Sequence, residues 1–134
     1  MRQGLGRLAV AIGLSLGTVG LWPNTAGAQL LNWQQVTSGA AWSTRDHHAA
    51  LTYEGRIWII GGYNPVNLND VWYSTDGAIW TQATASAGWE ARRLHTSIVH
   101  DGRMWVIGGC AAVELNDVWY STDGANWTAA TMSA

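Results

Sequence analysis

The chain has 134 residues, of which 48% are hydrophobic and 12% are charged, and its formal net charge at pH 7 is −2. Beyond residue 28 it carries five arginines, nine carboxylates and no lysine, which argues against a nucleic-acid partner because such a partner requires a basic patch. Cys110 is the only cysteine, so no disulfide within the chain can stabilise the fold.

Residues 1–28 have the pattern of a secretory signal peptide. Two arginines give a basic start, residues 8–22 are a compact apolar run, and the small residues 26–28 resemble a cleavage site. The apolar run is shorter than the roughly 20 residues that a membrane span needs. We therefore expect cleavage before residue 29, no membrane span afterwards, and a secreted or periplasmic mature chain.

One segment occurs twice at a spacing of 47 residues. The sequence Leu-Asn-Asp-Val-Trp-Tyr-Ser-Thr-Asp-Gly-Ala at residues 68–78 returns unchanged at residues 115–125. A period of about 20 to 50 residues is typical of stacked units, each of which is unable to bury its apolar faces alone. The region 29–134 is thus expected to hold two repeat units, at about residues 42–88 and 89–134.

Within the first unit the pattern predicts four short strands, at residues 48–53, 56–60, 71–74 and 80–84. The acidic residue and glycine at 54–55 suit a two-residue type I′ turn, in which both central residues need positive φ. The second unit repeats this pattern 47 residues later, and no apolar period of 3.6 residues indicates a helix. Each unit is therefore predicted to form a four-stranded antiparallel sheet.

A further strand is expected before the first unit. Trp33 lies 47 residues before Trp80, which opens the predicted fourth strand. Residues 31–37 are accordingly predicted to form an orphan N-terminal strand, the fourth strand of a preceding unit.

Other residues recur at the same spacing, including an Arg and a His before the first strand, a double Gly after the second, and a Trp in the third. They are Arg45, His48, Gly61, Gly62, Trp72, Arg92, His95, Gly108, Gly109 and Trp119. Together these features resemble the Kelch repeat of β-propellers, as in exported bacterial Kelch proteins and galactose-oxidase-like propellers. The resemblance implies an all-β partial β-propeller of two four-stranded blades plus the orphan strand.

A residue that every blade needs is expected to serve packing, whereas a ligand site is used once. The repeated residues are therefore predicted to be structural. We expect the indole N–H groups of buried Trp residues to find polar partners, and the repeated Arg and His to donate hydrogen bonds between blades.

Candidate binding residues are sought where the two copies differ, because loops on a rigid scaffold usually carry specificity. If the Kelch strand order holds, His47 and Arg93 begin the innermost strands, while Tyr63, Asn64 and Glu114 lie in the loops between the second and third strands. His47 and His48 are adjacent and would point to opposite faces of a strand, which disfavours a shared metal ion. No catalytic residue, metal site or cofactor is predicted.

These observations favour an exported, non-catalytic Kelch-type segment that binds an unidentified protein or ligand through its blade loops. One alternative is a fragment of a copper oxidase resembling galactose oxidase, whose tyrosines, histidines and Cys–Tyr crosslink would come from several blades. Another is a carbohydrate-binding propeller, motivated by export and by the many Trp residues. The expected partner is thus a protein or a glycan.

Two blades cannot close a propeller, which typically has about four to eight blades. Two stacked blades leave one apolar face at each end, together with unpaired strand edges. The sequence therefore predicts either a piece of a longer propeller or, if the chain is complete, self-association into a ring.

Overall fold

The computed structural model describes residues 33–134, which form two four-stranded antiparallel sheets without a helix. The first blade consists of β1 (Ala49–Tyr53), β2 (Arg56–Tyr63), β3 (Asn67–Ser74) and β4 (Thr81–Thr84). The second blade consists of β5 (Thr96–His100), β6 (Arg103–Cys110), β7 (Glu114–Ser121) and β8 (Thr128–Thr131). Strand order in each sheet follows chain order, so each blade is a meander, and the predicted fold class is confirmed.

The tight hairpins are formed as predicted. In the first blade Glu54 and Gly55 have φ angles of 49° and 68°, and in the second Asp101 and Gly102 have 48° and 65°. Positive φ at both central positions is the condition for a type I′ turn, whose twist matches that of the flanking strands. The turn therefore fixes the register of each innermost strand on its neighbour.

The second strand of each blade is longer than predicted, because it continues through the double glycine. The register shifts between Ile60 and Gly62, and Gly61 and Gly62 have φ angles of 54° and 109°. A β-bulge of this kind lets a strand turn sharply and keep pairing. Strand β3 consequently begins at Asn67, before the predicted start, and the second blade repeats the arrangement.

The orphan N-terminal strand is not formed in its described part. Residues 33–37 have no strand conformation, and residues 31 and 32 lie outside the described residues, as does the predicted signal peptide. A fourth strand forms by pairing with a third strand of its own blade. The described residues offer residues 33–37 no such partner, since β3 and β7 already pair with β4 and β8.

The two blades share one apolar core. On the first blade Trp58, Ile60 and Val71 are fully buried, and on the facing side of the second blade Met104 and Val106 are fully buried. Burying each such side chain contributes about 1.5–3 kcal/mol. The stacked sheets, rather than either sheet alone, therefore enclose the hydrophobic core.

A large side chain of the first blade fits a glycine of the second. The Trp58 ring lies against Gly124, where an added Cβ would overlap it. The indole N–H of Trp58 donates to the Tyr53 carbonyl at 3.1 Å, and the Tyr53 hydroxyl donates across the interface to the Gly102 carbonyl at 2.8 Å. The two blades are therefore complementary in shape at this contact and are also joined by a hydrogen bond.

A buried Arg–Asp pair lies at the centre of the second blade. The Arg92 side chain is inaccessible to solvent and makes two parallel hydrogen bonds to the Asp117 carboxylate, at 2.6 and 2.9 Å. It also donates to the Gly108 carbonyl at 2.9 Å, while Trp119 donates its indole N–H to Asp117 at 2.7 Å. Donation by Arg92 holds the pKa of Asp117 below its usual value. Arg45, Asp70, Gly61 and Trp72 repeat this cluster in the first blade.

The predicted hydrogen bonds between blades are not made by the arginine side chains. Each side chain binds within its own blade, and it is the Arg92 backbone that reaches the first blade. The Gly62 amide donates to the Arg92 carbonyl and the Arg92 amide donates to the Leu68 carbonyl, both at 3.0 Å. Arg92 therefore joins the two blades through its backbone while its side chain organises the second.

We predict that Arg92→Lys lowers the free energy of unfolding by about 2 kcal/mol, because an ammonium cannot replace the two-pronged contact with Asp117. The measurement is urea unfolding followed by Trp fluorescence. The matched control is Arg103→Lys, since Arg103 lies over the Tyr120 ring and pairs with no carboxylate among residues 33–134. Equal losses in the two variants would contradict the prediction.

His95 lies buried at the blade interface, and its ring approaches Gly61 of the first blade. Neither ring nitrogen makes a hydrogen bond of good geometry within the described chain. Burial, then the positive charge of Arg92, lowers the pKa of His95 from 6.5 to about 4, and an interaction with the Ile60 backbone opposes this shift only in part. His95 is therefore neutral in the fold and does not supply the predicted donor between blades.

The lowered pKa of His95 predicts a loss of stability in acid. Below pH 6.5 His95 becomes protonated in the unfolded chain but stays neutral in the folded chain. The stabilisation present above pH 6.5 is therefore lost as the pH falls towards about 4. The slope contributed by His95 approaches about 1.4 kcal/mol per pH unit. Urea unfolding across this range should give a smaller slope in His95→Gln than in the wild type, by up to about 1.4 kcal/mol per pH unit. His47→Gln is the control, and an unchanged slope in His95→Gln would refute the assignment.

Candidate functional site

A cleft forms where the segment before β1 meets the end of β2. The backbones of Asp46 and Tyr63 pair through two hydrogen bonds, of 3.1 and 2.9 Å. The Asn64 side chain donates to the Thr44 hydroxyl at 3.3 Å, which ties the loop after β2 to the same segment. The result is the first-blade cleft, an open depression of about 310 Å³ lined by Thr44, Arg45, Asp46, Tyr63, Asn64 and Pro65.

The glycine bulge makes this cleft possible. A Cβ on Gly62 would lie 2.7 Å from the Asp46 carbonyl oxygen and 2.9 Å from the His48 Cβ, so only glycine permits so close an approach. Gly109 has the same environment in the second blade, beside Arg93 and His95. The repeated glycines thus bring the segment before each blade's innermost strand against the end of its second strand.

His47 lies at the edge of this region, before β1 rather than in it. Its φ angle is 50°, and its Nδ1 atom lies 2.8 Å from the Asp46 carboxylate, with both side chains about half exposed. The His47 carbonyl accepts a hydrogen bond from the Leu94 amide of the second blade at 3.1 Å. The backbone of His47 is therefore fixed by the neighbouring blade, and its imidazole remains accessible to a ligand.

Arg93 of the second blade lies beside the first-blade cleft. Its guanidinium carbon lies 4.7 Å from the centre of the Tyr63 ring, a cation–π contact. Its backbone pairs with Cys110 through hydrogen bonds of 3.0 and 2.8 Å, so Arg93 precedes β5 rather than beginning it. The ring of Tyr63 is thus shared between a cleft on its own blade and an arginine of the next blade.

Four of the five predicted binding residues therefore lie in one region, and Glu114 does not. Glu114 lines a separate second-blade cleft of about 320 Å³, together with Glu90, Asp117 and Trp119. This cleft carries carboxylates, but the Asp117 carboxylate is already bound by Arg92. Glu114 has no part in the first-blade cleft.

Sequence reasoning missed two residues of the first-blade cleft, Thr44 and Asp46, and did not single out Pro65 within the loop that holds Tyr63 and Asn64. A usable signal existed, because each differs from the residue 47 positions later. Asp46 in particular corresponds to Arg93, so the two blades carry opposite charges at the same place. A comparison of charge at every repeat position would have found it.

Among residues 33–134, no group of three or more His, Cys, Asp or Glu side chains is arranged to hold a metal ion. The centre of the His48 ring lies 6.2 Å from that of the Trp42 ring. Within the same residues no helix is long and apolar enough to cross a membrane.

Comparison with known families agrees with the architecture. A family model of the Kelch motif matches residues 44–84 and 91–120, more than half of the chain. The chain belongs to the Kelch-repeat family. Each match falls on one blade and begins close to its buried arginine, so the resemblance inferred from Arg, His, double Gly and Trp is confirmed with two repeats. A comparison with curated proteins finds no match.

We predict that Gly62→Ala destabilises the protein far more than Gly55→Ala. Gly55 has a φ of 68°, in the left-handed region, so Gly55→Ala costs about 1 kcal/mol of backbone strain and its Cβ meets nothing within 4 Å. Gly62 has a φ of 109°, outside that region, so alanine is more strained there. Gly62→Ala must also push apart Asp46 and His48, which adds about 1–3 kcal/mol. Urea unfolding of the two variants measures the combined cost of strain and close contact at Gly62. Equal destabilisation would contradict the prediction.

Proposed function

We propose that this propeller-type Kelch segment is exported and binds another protein, without catalysis, through the first-blade cleft and the adjoining residues His47 and Arg93. The observation that carries the proposal is the shared Tyr63 ring, which faces Arg93 of the next blade and borders the cleft of its own. Tyrosine and arginine are enriched in the residues that dominate binding energy at protein interfaces.

The chemistry of the region suits a polar, partly charged partner surface. Asp46 and Arg93 offer opposite charges, Asn64 offers an amide, and Tyr63 offers an aromatic face. The backbone around them is fixed by pairing on both blades, so little ordering entropy is lost on binding. Copy-specific side chains on a repeated frame are the expected location of specificity.

Export is supported by the sequence of residues 1–28 alone. Cleavage before residue 29 would leave both blades intact, because the first strand begins at Ala49. Localisation of the tagged protein in cell fractions, with the N-terminus of the exported form sequenced, tests this part of the proposal separately.

The binding proposal is tested by affinity capture from an extract of exported proteins, with wild-type and variant chains immobilised. Proteins retained by the wild type should be lost with Tyr63→Ala and with Arg93→Ala. The matched control is Arg103→Ala, because Arg103 makes the same cation–π contact, at 4.7 Å, with Tyr120 at the far end of its blade. Retention of the same proteins by all four chains would exclude the first-blade cleft as the binding site.

A glycan is the second candidate ligand for the same residues, since Tyr63 could stack on a sugar ring beside the hydrogen-bonding groups of Asp46 and Asn64. A glycan array probed with wild type and Tyr63→Ala distinguishes the two. Glycan signals that disappear in the variant would favour this ligand class, and signals that persist would remove it.

A further inference from the structure

We propose that the open face of the second blade binds the open face of the first blade of a second copy of this chain, head to tail, with Trp105 of one copy seated on Gly77 of the next. This contact uses neither Tyr63 nor Arg93, the residues on which the proposed function depends. The argument rests on the interface between the two blades of one chain. That interface joins one face of the first blade to one face of the second, and the repeat places similar side chains on the outer face of each blade.

The first half is the open face of the second blade. Trp58 and Ile60 are fully buried against the second blade, and their counterparts 47 residues later are Trp105 and Ile107, which remain partly exposed. Ile98 pairs directly with Trp105 across the sheet and is 45% exposed. Among the described residues nothing covers this face, although its side chains correspond to those through which the first blade packs on the second.

The second half is the open face of the first blade. Met104 is fully buried against the first blade, whereas its counterpart Ile57 is 41% exposed. Ile59, on the same face, is already buried, so the open part of the face is the end at Ile57. The glycines show the same contrast. A Cβ on Gly124 would overlap Trp58, but a Cβ on Gly77 would meet only the tips of Ile57 and Val36, both at 4.0 Å. Gly77 therefore offers the place that Trp58 fills at Gly124, and Trp105 is the side chain that matches it.

The backbone hydrogen bonds between the two blades also have unused counterparts at the open faces. Between the blades, the Arg92 carbonyl lies near Gly61 and accepts from the Gly62 amide, and His95 lies against Gly61. In the second blade of one copy, Gly108 and Gly109 correspond to Gly61 and Gly62. Arg45 and His48 of the next copy would supply the matching partners. Within the described chain Gly108 has no neighbouring blade against it.

Two features make this contact weaker than the one within the chain. His100 replaces Tyr53, so the hydroxyl bond to the opposing turn has no equivalent. In addition, β8 already occupies the course that residues 34–37 of the second copy would follow if they matched β4. Within residues 33–134 this segment is not paired with either sheet and its side-chain hydrogen bonds are local, so it can take another path.

A head-to-tail contact uses two different faces, so it can propagate and close into a ring. Two blades per copy would give rings of about two to four copies, since propellers typically contain about four to eight blades. The open apolar faces would then be covered by further copies of the same blades.

Sedimentation velocity over micromolar concentrations tests the proposal. The wild type should associate, and Ile98→Asp and Ile57→Asp should each weaken association by at least about tenfold, because each charges one of the two faces. The control Val113→Asp adds the same charge at a 64% exposed loop position and should associate as the wild type does. A monomeric wild type, or unaffected association in the two face variants, would overturn the proposal.

An equimolar mixture of the two variants gives the sharper result. Ile98→Asp keeps the first-blade face and Ile57→Asp keeps the second-blade face, so together they should form a 1:1 dimer that cannot extend. A mixture that remains monomeric would overturn head-to-tail binding. If Trp fluorescence shows that an Asp variant is unfolded, Ile98→Thr and Ile57→Thr replace the pair, with the same outcomes decisive.

Discussion

The buried arginine of each blade is the interaction on which the rest of the structure depends. Arg92 satisfies Asp117 and the Gly108 carbonyl with its side chain, and through its backbone it pairs with the preceding blade. A buried ion pair contributes little net stability unless its remaining hydrogen bonds are satisfied, and here Trp119 completes the set. The pair therefore defines one arrangement in which the blade, its glycine bulge and its neighbour all fit.

The segment that repeats without change is explained by this frame. It supplies the carboxylate and indole that surround the arginine, and then a turn that is closed by its own side chains. The Ser74 hydroxyl accepts from the Asp76 and Gly77 amides, and the Asp76 carboxylate accepts from the next two amides along the chain. The turn must also be small at Gly124, because Trp58 lies on it. Packing therefore accounts for the identity of the two copies.

The fold could be predicted from the sequence because its determinants are local and occur twice. The acidic residue and glycine at 54–55 set the hairpin, and the spacing of 47 set the number of blades. The ends of β2 and β3 could not be predicted, since a bulge at Gly61 and Gly62 depends on what approaches it in space. The partners of Arg92 and the isolation of the His95 ring were also beyond a sequence argument, because the residues involved are far apart in the chain.

For the candidate site, the sequence identified residues but could not show which of them lie together. Tyr63, Asn64, His47 and Arg93 were found because they break the repeat, and pairing of the two blades brings them to one region. Glu114 also breaks the repeat, yet it lies in the other cleft, so difference between copies selects candidates without locating them. The same frame that buries Trp58 leaves Trp105 partly exposed. An identical residue can thus be core in one blade and surface in the next, and identity between repeats is compatible with a binding role at one of them.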